Sequence, residues 1–202
     1  MINHKFLPTI LREYDVRGVI GETLFADDAR ALGRAFGTRV IRNGGTTVSV
    51  GRDGRLSSPD MEAAVIEGLI AAGITVARLG GVATPMLYYS VHALETDGGI
   101  MITGSHNPPT HNGFKMMLGT GPFFGADIQD LGRIAAEGDF ESGVGAVKDA
   151  DIIGGYVDRL LRDVSLGRQL RIIWDCGNGA AGPSVNQVCT RLPSNHTVLF
   201  PE

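Results

Sequence analysis

Short apolar runs alternate with amphipathic stretches along most of this chain, and that alternation restricts the fold more than any single motif. Ala29, Leu32, Phe36 and Val40 recur at helical spacing within residues 26–43, with Asp27 and Asp28 in the first turn and Gly44-Gly45 at the end. Thr46 to Val50 is rich in β-branched residues and reads as a strand. Ser58 before Pro59 predicts a capped helix start, with Met61, Val65 and Leu69 as its apolar stripe and Gly73 at its close. Ile74 to Leu79 is a further strand. Thr84-Pro85 opens a third helix by the same cap-then-proline logic, running to about Leu94. Strands separated by helices predict an α/β fold: a mixed, mainly parallel sheet covered by helices on both faces.

The run Ile100 to Ile102 is too short for a helix and is flanked by glycines, so it reads as a fully buried strand. After it the chain breaks at Thr103-Gly104 and presents Ser105, His106 and Asn107. Pro108 and Pro109 keep the following loop from relaxing into helix. The carboxyl end of a strand is where open α/β sheets place ligands. Asn112-Gly113 is a turn signal, and an antiparallel return from Gly113 to Leu118 would carry Lys115 back toward the serine. Two chemistries suit such a serine. Acyl transfer needs a base within reach, no Gly-x-Ser-x-Gly elbow is present, and adjacent His106 is a poor base because neighbouring side chains usually diverge. Phosphoryl transfer needs positioning and cations, which lysine, histidine and amide donors provide better. A polar loop without chemistry is the bland alternative.

Composition excludes several classes. The chain has 202 residues and a net charge of −4, which offers no general attraction for nucleic acid or an anionic membrane. A phosphate site must therefore draw on a few local arginines and lysines. Cys176 and Cys189 lack Cys-x-x-Cys spacing and read as reduced thiols of a cytoplasmic protein. The amino terminus lacks the apolar core of a signal peptide, and no stretch is apolar enough to span a bilayer. The histidines form no zinc signature.

Residues 119–125 read as a turn-rich link, followed by a helix from about Ala126 to Glu137. A glycine-rich polar segment, 138–150, reads as a boundary between a first domain, 1–145, and the incomplete beginning of a second, 151–202. In the latter, a helix over 151–164, a strand over 170–174, a helix over 183–190 and a strand beginning near Val198 are expected. Gly177-Asn-Gly-Ala-Ala-Gly182 matches Gly-x-Gly-x-x-Gly between strand and helix. A tight βα turn with close helix–strand packing explains it better than nicotinamide binding. The acidic partner belongs some 20 positions on, and the sequence given ends at Glu202.

Thr103-Gly-Ser-His-Asn-Pro-Pro with Asn112-Gly-Phe-Lys115 resembles the phosphoserine loop of the α-D-phosphohexomutases. Arg12-Glu-Tyr-Asp-Val-Arg-Gly18, Gly51-Arg-Asp-Gly-Arg-Leu-Ser-Ser-Pro59 and Asp175-Cys-Gly-Asn-Gly-Ala-Ala-Gly182 resemble the same family in the same order, the first most like its bacterial phosphomannomutase/phosphoglucomutase branch. The resemblance implies that phosphorylated Ser105 exchanges its phosphoryl group with mannose or glucose 1- and 6-phosphates. It implies Lys115 for charge stabilisation and proton transfer, His106 and Asn107 for shaping the loop and bonding the phosphoserine, and Tyr14 and Arg17 for contacting the phosphosugar or the phosphoserine. The 51–59 loop either binds phosphate or uses a buried Arg–Asp pair to tie loops together. Mg²⁺ is implied, held through the phosphate on Ser105 and by carboxylates, with glucose 1,6-bisphosphate as activator. The family's Asp-Gly-Asp-Gly-Asp metal loop is not found in this sequence. The chain is therefore expected to be an amino-terminal fragment, inactive alone, that is able to self-associate through its truncated second domain. Phosphoglucosamine mutase and a phosphosugar-binding module without turnover are the alternatives.

Overall fold

A computed structural model describes residues 3–202. A short 3-10 turn, Pro8–Ile10, leads into β1 (Val16–Val19), α1 (Ala26–Arg42), β2 (Thr47–Arg52), α2 (Ser58–Ala72), β3 (Thr75–Gly81), α3 (Thr84–Ala93) and β4 (Gly98–Ile102). Then follow β5 (His111–Leu118), β6 (Gly121–Phe123), α4 (Ala126–Glu137) and β7 (Ala146–Asp149). The chain continues with α5 (Ile153–Leu161), β8 (Arg171–Asp175), α6 (Gly182–Arg191) and β9 (Asn195–Leu199).

Seven strands form one sheet in the order β1-β5-β4-β2-β3-β7, with β6 added beside β5. β4, β2, β3 and β7 run parallel, whereas β5 is antiparallel to both β4 and β1. The mixed, mainly parallel sheet is thus as expected. β4 is buried along its whole length. Alternate side chains on a strand point to opposite faces, and here Ile100 and Ile102 join the large core beneath α1, α2 and α4 while Met101 joins a smaller one with Met86 and Leu87 of α3. Helices therefore cover both faces, and after Ile102 the chain emerges at the sheet's carboxyl rim.

Several local expectations are corrected. Ser58 does not cap α2: it is the first helical residue, and its hydroxyl is drawn to Asp53 instead. Thr84 likewise lies inside α3, whose cap position is Ala83 without a side-chain bond. The 119–125 link contains β6, because Phe123 packs edge-on against Phe36 (centroids 5.4 Å) and draws Gly121–Phe123 onto β5. The 138–150 boundary segment contains β7, which completes the first sheet by pairing with β3, so that sheet extends past residue 145 to Asp149. β7 escapes the hydrophobic pattern because all four of its residues are exposed. The fifth helix is shorter than expected, and β9 starts at Asn195 rather than Val198.

β8 and β9 form a separate two-stranded parallel sheet. Gly182, the last glycine of the fingerprint-like turn, lets α6 approach the end of β9: a Cβ there would lie 1.8 Å from the Pro201 carbonyl oxygen. Close helix–strand packing therefore accounts for that glycine. Cys176 and Cys189 are unbridged. Among the described residues no helix is long and apolar enough to cross a membrane.

Candidate active site: the serine loop

The loop leaving β4 is held from below by one carboxylate. Asp53, just past the end of β2, accepts from the Thr103 hydroxyl (2.9 Å) and the Gly104 N–H (3.2 Å) through Oδ2. Its Oδ1 accepts from the Ser58 hydroxyl (2.6 Å) and the Arg55 N–H (3.1 Å). The Thr103 hydroxyl oxygen accepts in turn from the Ser105 N–H (2.8 Å). Buried Asn112 closes the far side, donating to the hydroxyls of Ser57 and Ser58 at 2.9 and 3.0 Å.

Ser105 is exposed at the rim, in a left-handed backbone conformation with φ of 53°. Its Oγ lies 3.4 Å from Nδ1 of His106. The expected divergence of neighbours is a property of extended chain, and Ser105 is not extended; even so, 3.4 Å is long for a hydrogen bond. The two side chains are neighbours without being a tight nucleophile–base pair. The Asn107 side-chain amide does not reach outward: its Nδ2 and its backbone N–H both donate to the Gly104 carbonyl, at 3.2 and 3.0 Å.

Arg17 is almost wholly buried, at 4% exposure, and does not offer a free fork to a ligand. Nη1 donates to the Gly104 carbonyl (2.5 Å) and Nη2 to Asp15 (2.6 Å). Asp15 is shared: the Lys115 ammonium lies 3.5 Å from the same oxygen. In the register of β4 and β5, Lys115 stands opposite Met101, so the return strand brings it to the Arg17–Asp15 pair at the loop's root. Tyr14 is 73% exposed and its ring leans on Phe124, with centroids 6.3 Å apart. The structure thus sets Arg17 and Asn107 on the Gly104 carbonyl beside the serine and Lys115 on Asp15 next to Arg17, with Ser105, His106 and Tyr14 exposed.

Sequence reasoning left out Asp15, Asp53, Arg55 and Thr103. The signal for the first was an acid set between arginines in residues 12–18. For the 51–59 loop the sequence allows phosphate binding or an Arg–Asp tie. The tie is what the structure contains, with Arg55 Nε on Asp53 at 3.1 Å. Ser105, Asn107, Arg55, Thr84 and Asn178 line an open cleft of about 510 Å³. A larger cavity, about 660 Å³, lies at the ends of β2, β3 and β7. There Arg52 pairs with Glu62 and Arg78 with Asp149, and no serine, threonine, cysteine, histidine or lysine lines it. Among the described residues no three His, Cys, Asp or Glu side chains converge to hold a metal ion.

What this geometry can do is present a primary hydroxyl at the mouth of a sheet, with cations behind its backbone. Residues 8–142 match the family model for phosphoglucomutase/phosphomannomutase, alpha/beta/alpha domain I. A phosphomannomutase/phosphoglucomutase of Pseudomonas aeruginosa is 40% identical over 194 residues, which are 96% of this chain and 42% of that protein. A phosphomannomutase of Salmonella typhimurium is 36% identical over 192 residues, 91% of this chain and 41% of that one. The crystal structure of a phosphoglucomutase/phosphomannomutase family protein from Burkholderia thailandensis superposes with a TM-score of 0.91 at 42% identity, covering 98% of this chain and 45% of that chain. A Thermus thermophilus structure, 24% identical, shares the fold with a TM-score of 0.79 over 96% of this chain and 46% of that one. The chain spans less than half the length of these relatives, and by its first domain it belongs to the phosphoglucomutase/phosphomannomutase family.

Proposed function

We propose that this chain carries the phosphoryl-transferring serine of a hexose-phosphate mutase acting on glucose and mannose phosphates. The observation that supports the reading most is the exposed Ser105 hydroxyl at the end of β4, at the rim of a cleft large enough for a sugar phosphate. In the forward half-reaction the bond between phosphorus and Ser105 Oγ breaks. A bond forms from phosphorus to a sugar hydroxyl oxygen, and the hydroxyl proton leaves to a base. The bisphosphorylated sugar turns over, and the reverse step returns its other phosphoryl group to Ser105. Such transfers depend on in-line placement and on positive charge near the moving group. Lys115 and Arg17 supply that charge from the loop's root, Lys115 as the more accessible of the two. In this reading His106, beside Oγ, orients the hydroxyl, and Tyr14, whose ring is exposed, contacts the sugar.

Mg²⁺ would serve as a counter-ion to the phosphate on Ser105. Among the described residues no three His, Cys, Asp or Glu side chains come together to hold it, so the phosphate oxygens would be its ligands from this chain.

The test is the first half-reaction. Incubation with glucose 1,6-bisphosphate is expected to add one phosphoryl group to the intact protein, mapped by peptide mass to residues 98–115 and absent from Ser105→Ala. Wild-type protein that gains no such mass, or gains it equally in the alanine variant, refutes the reading.

A further inference from the structure

Arg55 has no part in the chemistry above, yet its donors are all in use. Nε donates to Asp53 (3.1 Å), Nη1 to the carbonyls of Pro108 (2.6 Å) and His111 (3.0 Å), and Nη2 to those of Ser105 (2.9 Å) and Asn107 (2.7 Å). A guanidinium has five N–H donors in a rigid planar fork, so Arg55 keeps none for a ligand. Four carbonyl oxygens of the 105–111 loop point at one cation, an arrangement that would be mutually repulsive without it.

Besides Arg55, the loop is tied at its start by Asp53 and Thr103, the latter receiving the Ser105 N–H, by Arg17 on the Gly104 carbonyl, and at its end by the Ile20 N–H on the Thr110 carbonyl. Two prolines remove amide donors, and the backbone bonds within it are Asn107 to Gly104 and His111 to Pro108. Meanwhile Ser105 holds a left-handed φ that costs an L-residue about 1–2 kcal/mol. Thr103 holds the Ser105 N–H on one side, and on the other the Ser105 carbonyl is one of the four that Arg55 grips.

Gly104 points to the same device independently. A Cβ at that position would lie 2.2 Å from Cζ of Arg55. The Gly104 backbone is not in the left-handed region. Glycine is therefore needed there to admit the guanidinium, not to permit a turn. On the other side, the Gly104 carbonyl is taken by Arg17. The peptide groups before and after Ser105 are thus each pinned by a different arginine.

We propose that Arg55 is the positioning residue of the serine loop: seated against Gly104, its fork imposes the left-handed backbone at Ser105 and so sets the direction in which Oγ faces the cleft. The kinetic part of this inference rests on the reading of Ser105 as the phosphoryl carrier; the structural part does not.

Arg55→Lys keeps the charge but replaces the planar fork by a single nitrogen that cannot meet four carbonyls. Gly104→Ala leaves Arg55 intact and displaces it from the opposite side. In each variant, amide hydrogen exchange over residues 103–112 is expected to rise at least about tenfold, while exchange in α2 and β3 stays unchanged. Uptake of the phosphoryl group from glucose 1,6-bisphosphate is expected to slow about a hundredfold, the cost of roughly 1 Å of misplacement, with little change in its dependence on donor concentration. The double variant is expected to be no worse than the poorer single one, because the added methyl has nothing left to displace. Wild-type exchange in Arg55→Lys, uptake at the wild-type rate, or additive losses in the double variant would overturn the proposal. If the wild-type protein takes up no phosphoryl group, the carrier reading fails while the exchange comparison still decides the role of Arg55. If Arg55→Lys does not fold, Gly104→Ala carries the same comparison.

Discussion

Replacing Asp53 by Asn keeps the shape of the side chain and removes its charge, and the consequence can be worked out from its partners. Oδ2 faces the Arg55 Nε–H, the Gly104 N–H and the Thr103 hydroxyl; Oδ1 faces the Arg55 backbone N–H and the Ser58 hydroxyl. An asparagine must turn its NH₂ toward one of these sets. Facing Oδ2's partners, it meets two groups that can only donate. Facing Oδ1's partners, it meets one such group, the Arg55 N–H, while Ser58 can rotate to accept. The second orientation costs less. It still leaves one N–H without its partner, about 1–3 kcal/mol, and weakens the remaining bonds from charge-assisted to neutral. A total of about 3 kcal/mol follows, and at roughly 2–4 °C per kcal/mol for a chain of this size the melting temperature should fall by about 6–12 °C. Calorimetry of the two proteins in one buffer measures it. A Tm for Asp53→Asn within about 2 °C of wild type would refute the idea that this carboxylate holds β2, α2 and the serine loop together.

Other expectations are more local. Burial works against the Asp97 carboxylate, but the N–H groups of Thr46 and Thr47 and the Thr47 hydroxyl outweigh it and hold its pKa below the ordinary value. A depressed folded pKa gives stability that is present above the unfolded value, near 4, and lost as pH falls through the folded one. Denaturation midpoints of wild type and Asp97→Asn should therefore differ at pH 6 and converge in acid; a gap that ignores pH would contradict this. Glu62 is the opposite case. Burial raises its pKa despite Arg52, and its Oε1 has no hydrogen-bond partner among the described residues. The ionised form is then penalised in the folded state above its folded pKa, so Glu62→Gln should be more stable at pH 7 and lose that advantage as pH falls toward the ordinary glutamate value. Lower stability of the variant at pH 7 would count against it. The β8–β9 sheet has only two strands and leaves Ile173 71% exposed, so self-association through this region is expected to grow with concentration in sedimentation velocity. A monomer at every concentration would dispose of it.

The alternation of apolar runs and amphipathic stretches located α1 and α2 by stripes that they bury, whereas α3 was marked by Thr84-Pro85 and α5 buries only Val157. The same alternation also found β4, whose continuous apolar run is the mark of a strand covered on both faces. The serine loop was legible because glycine, proline and polar residues at a strand end have local meanings. β6 and β7 were not: one is short and the other wholly exposed, and each is a strand only because a neighbour supplies hydrogen bonds. Serine before proline suggested a cap at Ser58, and a carboxylate five residues earlier in the chain took that hydroxyl instead.

The site divides along the same line. Which side chains the proposed chemistry draws on, Ser105, His106 and Lys115 among them, is a matter of residue type and was set by the chain alone. What each one faces was decided by tertiary structure. Arg17 turned inward to a carbonyl 87 residues away, Lys115 reached Asp15, and Arg55 spent its fork on a loop about 50 residues distant. Hydrogen bonds of this kind join groups with no periodic relation in sequence, and only the packing of β1, β2, β4 and β5 into one sheet brings them within reach.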